Sequence, residues 1–406
     1  MVRSILKAVV VVVAGSVLSA CSSSNGTGPG ADGGPSSDAS LDSSPASNAM
    51  DASPPEATDS SLLNPMDSSS PGTIDSSPGV FSDAAPIGDA SETEADGGPL
   101  PVVLVDGLTN PSYIVSDGIN VYFTTYDSAA MSDVVMLVGT DGGAASTLAV
   151  GVGIAGGLAV YQGTVYWTNS VGDAGGSVMA VGLDGGGPTT IAAGQTYPAG
   201  PAVDGTGIYW SQDVADGGSV MVAPFGGGAP SIVAADQNSP NALTVLPTGL
   251  FWLSLDGIEW SPAPSGSGTP ITLGQIGVSN NGPIAADSNA VYTLSECTVY
   301  RTPLDGGTAT PLAPPSFSTG SCLAAGTTIA VDDASAYWPI RTGSGNPLNS
   351  GSVVSASLAG GGGSPAGAIA SGQNGPNNVA VDALHVYWTN HGVNGQPGQV
   401  MRANKP

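Results

Sequence analysis

Few side chains in this 406-residue chain could do chemistry. There are two histidines, His385 and His391, and three cysteines, Cys21, Cys297 and Cys322. Six basic residues, Arg3, Lys7, Arg301, Arg341, Arg402 and Lys405, stand against 32 Asp and Glu. Arg341 and His391 are the most distinctive of these, a permanent cation and a group that titrates near neutrality. A lone loop histidine is more often solvated than catalytic, and His385, just before an apolar strand, reads as structural or exposed. Asp127, Asp173, Asp213 and Asp216 could gather Ca²⁺, a hard ion that wants several oxygens. No loop has the dense D-x-D-x-D-G spacing, so these read as solvated turn carboxylates. Neither a metal nor a cofactor is expected, and no catalytic constellation is visible.

The elements that carry these residues repeat. A short apolar strand ends at an Asp, a turn follows, and a second strand rises through a pair of large residues. Its clearest copy is N-V-A-V-D-A-L-H-V-Y-W-T-N, Asn378 to Asn390. Versions recur at Tyr122-Phe123, Tyr166-Trp167, Tyr209-Trp210, Phe251-Trp252, Tyr292-Thr293, Tyr337-Trp338 and Tyr387-Trp388, seven copies 41 to 50 residues apart. A period in this range signals a repeat fold. Each unit reads as four strands; in the second they are Gly157–Val160, Thr164–Thr168, Ser177–Val181 and Thr189–Ala192. D-G and G-G pairs such as Asp141-Gly142-Gly143, Asp184-Gly185-Gly186 and Asp305-Gly306-Gly307 mark hairpin turns, because those residues tolerate positive φ. Strands such as V-Y-W are apolar on both sides of the pleat and need cover on both faces.

Four-stranded sheets stacked about an axis make a β-propeller. The fold class is therefore all-β, a seven-bladed propeller over residues 100–406. The last unit has only three strands. Its missing fourth lies at Val103–Val105, whose continuation to Pro111 matches Thr190 to Pro198 in the placing of the apolar residue, the Gly and the Pro. The N-terminal strand should complete blade seven and close the ring, leaving no open edge. A monomer is expected.

Residues 1–20 read as an address. Two positive charges precede a run from Ala8 to Val17, too short to span a bilayer but suited to a secretory signal. Leu18-Ser19-Ala20-Cys21 resembles a lipobox, which implies lipidation at Cys21 and a membrane contact through acyl chains alone. Ser22, in place of Asp, favours the outer membrane, facing the periplasm or the cell surface. Residues 21–99 are rich in Ser, Asp, Pro and Gly, with thirteen acidic residues and no basic one. Such a stretch cannot bury enough apolar surface to offset its entropy and reads as a tether of roughly 50 Å. Its Ser and Thr beside Pro also invite O-glycosylation. The net charge of −26, with no Lys or Arg between residues 8 and 300, repels phosphate backbones and argues against nucleic acid.

The V-Y-W-T motif with its D-G turns resembles the YWTD, NHL and TolB-type propeller superfamily. Two departures limit what transfers: Asn169 and Asn390 stand where YWTD domains place Asp, and seven blades replace six. The repeat is also similar to that of streptogramin lyase, which implies an enzyme alternative with a catalytic His and a metal. This chain has two histidines and no matching His–Glu constellation.

With strands running from inner to outer, the loops between second and third strands share a face with the blade connectors. That face carries the most variable loops and the candidate ligand-binding residues Asp127, Asn169, Asp213, Arg341, Asn390 and His391. Cys297 and Cys322 fall there on neighbouring blades, in an oxidising compartment, and are expected to form a disulfide. The series Phe123, Trp167, Trp210, Trp252, Trp338 and Trp388 reads as inter-blade core, whereas Trp260 lies outside it. The function expected is non-catalytic binding of a protein or glycan, with streptogramin-lyase-like catalysis or a passive structural role in an envelope complex as alternatives.

Overall fold

The computed structural model describes residues 100–406 apart from 171–174, 184–185, 215–216, 263–268, 275–281, 296, 314–321, 325–327, 343–349 and 360–365. All regular structure among them is β, in seven separate antiparallel sheets. The second sheet shows how the repeat builds a blade. Its strands are Ile154–Tyr161, Thr164–Ser170, Gly176–Gly182 and Thr189–Gln195, paired in chain order. Each expected strand is present and one to three residues longer at one or both ends. In blade six the inner strand is split into Cys322–Ala324 and Ala330–Val331, both paired to Ser335–Thr342.

The ring closes as the sequence implies. Val102–Leu108 pairs with Gly398–Asn404 on the outside of blade seven, Val102 opposite Arg402 and Leu108 opposite Gly398. The seven-bladed β-propeller is therefore complete.

The core is distributed in seven apolar clusters, each between two neighbouring blades. Strand alternation explains the repeat: successive side chains face opposite sides of a sheet. In Tyr-Trp the Tyr packs towards the next blade and the Trp towards the preceding one. Tyr122 thus shares a cluster with Trp167, Tyr166 with Trp210, Tyr337 with Trp388, and Tyr387 with Phe123 across the closure. Five Trp of the series are fully buried, as expected of core. Trp260 is partly buried and stacks on Phe251 at 6.4 Å.

Polar clasps fix five of the seven blades on the face of the short turns. The Asp that ends the inner strand accepts two backbone N–H groups of the turn and the hydroxyl of the Tyr five residues on. Asp382 takes the N–H of Leu384 and His385 and the Tyr387 hydroxyl at 2.6 Å. The same arrangement links Asp117 to Tyr122, Asp287 to Tyr292 and Asp332 to Tyr337. Burial and the adjacent carboxylate push these phenols well above their ordinary range. Blades two and four lack the Asp: Tyr161 stands in its place in blade two, and blade four has Leu246 and Phe251, an apolar pair in one cluster.

On the opposite face a Gly–Pro joint connects blades. A Cβ on Gly176, Gly218, Gly351 or Gly398 would lie 2.5, 2.1, 2.1 or 2.2 Å from Cδ of Pro198, Pro240, Pro376 or Pro111 respectively. The fourth joint spans the closure. On the turn face basic side chains link blade seven to both neighbours: Arg402 donates to the Thr140 carbonyl of blade one at 2.8 Å, and Lys405 meets Asp332 of blade six at 2.5 Å.

Candidate functional site

The third residue after the Phe or Trp of a second strand stands at the loop-face end of that strand. In the six blades that have this aromatic the position reads Tyr126, Ser170, Asp213, Leu255, Arg341 and His391, a changing residue on a constant frame. Arg341 and His391 occupy it on neighbouring blades, six and seven.

The connector Asn374-Gly375-Pro376 draws the two together. Arg341 Nε donates to Pro376 O at 3.0 Å, and Nη2 to Gly375 O at 3.2 Å and Asn377 Oδ1 at 3.4 Å. The backbone N–H of His391 donates to the same Gly375 carbonyl at 2.8 Å. Gly375 turns with φ +74, and a Cβ there would press to 3.0 Å from Val393. Glycine suits both demands.

Among the described residues no carboxylate pairs with Arg341; carbonyl oxygens alone bear its charge. Burial lowers its pKa from the ordinary value. His391 is lowered by burial first and by the Arg341 charge second, which keeps its imidazole neutral near pH 7. Three buried polar atoms in this corner have no hydrogen-bond partner: Asn374 Oδ1, Asn390 Oδ1 and His391 Nδ1. Each costs about 1–3 kcal/mol while nothing bonds to it.

The other candidates are spread round the face. Asp127 caps its own loop through the N–H of Ala129 and Ala130. Asp213 accepts from Ser239 at 2.9 Å. Asn169 lies at the end of its strand with Oδ1 buried and unpaired. Asn390 is the last residue of its strand and 2% exposed, so it shapes the corner from within. Asp173 and Asp216 lie outside the described residues, among which no cluster of three metal-ligating side chains occurs. His385 sits on the turn face against the Tyr387 hydroxyl. Cys297 is fully buried at the tip of a hairpin on the loop-rich face, in left-handed conformation (φ 62). Cys322 begins the inner strand of blade six, and its side chain lies outside the described residues.

Three glutamines were missed in the sequence. Gln195, Gln237 and Gln373 each end the outer strand of one blade and accept the indole N–H of the next, from Trp210, Trp252 and Trp388, at 3.1, 2.9 and 3.0 Å. Gln373 Oε1 also takes Asn390 Nδ2 at 3.0 Å, supporting the corner. The available signal was a fixed Gln-to-Trp interval of fifteen residues.

No family description and no curated protein matches the chain. Solved structures do. A Mycobacterium tuberculosis puromycin-hydrolyzing peptidase is similar over 72% of this chain, at 14% identity and TM-score 0.53; this chain spans half the length of that one. A nidogen/laminin complex contains a chain 20% identical over 48% of this chain and 76% of its own, TM-score 0.40. The WD40 β-propeller domain of Doa1 is 12% identical over 74% of this chain and 96% of its own, TM-score 0.48. These likenesses concern the fold alone.

Proposed function

We propose that this is a cell-envelope lipoprotein whose propeller binds a protein or glycan, without catalysis, through the loop-rich face. One observation carries the reading: Arg341 and His391, from two blades, converge on the carbonyl of Gly375 where buried acceptors are left unpaired. A site fully satisfied by its own contacts would leave nothing for a partner to complete.

The anchor at Cys21, the signal in residues 1–20 and the tether of residues 21–99 lie outside the described residues and belong to the proposal. The ring's first strand starts at Val102 beside Arg402, on the turn face. No helix among the described residues is long and apolar enough to cross a bilayer. The proposal includes a Cys297–Cys322 disulfide stapling blades five and six, since both cysteines belong to the loop-rich face.

Glycan-array and cross-linking capture by the full chain tests the binding reading. Arg341→Ala and His391→Ala should each remove part of the affinity, as at a broad surface. Loss of a measured turnover in both would instead establish the enzyme alternative. Palmitate labelling should vanish in Cys21→Ser, and labelling that persists refutes the anchor. Alkylation of unreduced, denatured protein should leave Cys297 and Cys322 unmodified; two modified thiols refute the staple.

A further inference from the structure

The corner between blades six and seven offers more than a general surface. Its one cation has no carboxylate partner among the described residues, and Arg341 Nη1 bonds to none of them. A guanidinium edge held in place by carbonyls on its other nitrogens is prepared for a carboxylate. Beside it stand unpaired acceptors whose identity is fixed by a chain of bonds. Gln373 Nε2 donates to Ser371 O at 2.9 Å, so Oε1 faces Trp388 Nε1 and Asn390 Nδ2. With its Nδ2 engaged, Asn390, 2% exposed, keeps its Oδ1 buried and unpaired in the corner, as Asn374 does. Carbonyl acceptors of this kind call for donors such as hydroxyls.

We propose that this corner binds a sugar acid, its single carboxylate on Arg341 and its hydroxyls donating to Asn374 and Asn390. The inference rests on the binding reading above and supplies the chemical class of the ligand. Charge selects one carboxylate over many: the chain carries −26 overall, and a polyanion drawn to Arg341 would meet repulsion from the rest of the surface. Hydrogen bonding does the recognising here, because Trp338 and Trp388 are fully buried and present no plane for a sugar to stack on. The free acid and the acidic end of a glycan present the same chemistry.

The two histidines make the test specific, since His385 sits on the opposite face as an internal control. The full chain carrying Cys21→Ser, with labelled imidazoles, is titrated with glucuronate, acetate and glucose at constant ionic strength. The His391 resonances should shift saturably with glucuronate, more weakly with acetate and not with glucose, while those of His385 stay still. Arg341→Gln should weaken glucuronate at least about tenfold, the loss expected for one charge-assisted hydrogen bond. Asn374→Ala, which keeps the Arg341 contacts, should weaken glucuronate and leave acetate unchanged. A glucuronate-terminated oligosaccharide, run in parallel, separates a glycan end from the free acid.

The inference is overturned if His391 ignores glucuronate, responds equally to glucose, or binds as tightly in a folded Arg341→Gln variant. In the first case ordered water alone fills the corner. If His391 is silent while arrays still capture a ligand on the loop-rich face, only the sugar-acid assignment fails. If nothing is captured either, the binding reading fails with it.

Discussion

The indole of Trp388 donates to Gln373 Oε1 at 3.0 Å, and the two residues belong to different blades. The fifteen-residue interval that joins them extends round the ring. Where Gln stands fifteen residues before Trp, as at Trp210, Trp252 and Trp388, the indole N–H is satisfied. Val152 and Leu323 hold that place before Trp167 and Trp338, and both indoles are buried without a partner. Before Phe123, which has no N–H to satisfy, the residue is Leu108.

Val152→Gln should therefore raise stability by about 1 kcal/mol, the net worth of one buried hydrogen bond. Gln373→Leu should lower it by about 1–3 kcal/mol, because Trp388 and Asn390 both lose their acceptor. Urea denaturation of the two variants measures both changes, and equal midpoints would contradict the pairing rule.

Gly398→Ala brings a methyl group to 2.2 Å from Pro111 Cδ, across the closure. Overpacking of this kind costs about 1–3 kcal/mol. Gly187→Ala, where a Cβ meets nothing within 4 Å, should be close to neutral. The difference in melting temperature between the two variants reads the joint directly.

Lys405→Met removes the ion pair to Asp332, whose partners are about 15% exposed on either side. Burial alone would raise the Asp332 carboxyl, but bonds from Lys405 and from the N–H of Ala334 and Ser335 outweigh it and hold the pKa below 3.8. A carboxylate depressed by folding stabilises the native state above its unfolded pKa, and that contribution is lost as pH falls through the folded value. The variant should be less stable by about 1–3 kcal/mol at neutral pH. The gap should close as pH drops below about 3.8, as followed by denaturation across the acid range.

His391 has the same sign for a different reason. Burial and Arg341 depress its pKa below 6.5, so the unfolded chain takes up a proton before the folded one does. Stability conferred by the neutral ring is full above 6.5 and declines as pH falls through the lower, folded value. His391→Gln cannot titrate. Wild type should lose stability relative to this variant below pH 6.5, and a constant difference from pH 8 to 5 would refute the buried, neutral ring.

The ring itself was legible in the residues. Period, turn dipeptides and the match between Val103–Pro111 and Thr190–Pro198 are local signals that add up, and they yielded blade number and closure. Strand ends are marked short by the sequence because the outer residues, such as Gly194 and Gln195, carry no apolar periodicity. The glutamines escaped notice because their partners lie across a blade boundary, where alternation along one strand says nothing. Arg341 and His391 could be placed on one face, but their meeting depends on the backbone path at Gly375, which only φ reveals. By sequence Asn390 falls among the candidate binding residues of the loop-rich face; its burial follows from Gln373, the residue that periodicity hides.

Val102 lies opposite Arg402, so the first strand of the ring must wait for its last. Throughout synthesis the growing chain carries an unpaired ribbon at one end and unfinished blades at the other. Contacts of such long range form slowly and leave edges open to wrong partners. Biogenesis of this protein is thus expected to depend on a holding chaperone until residues near 400 are available, and truncation before Gly398 should yield aggregates in place of a six-bladed ring.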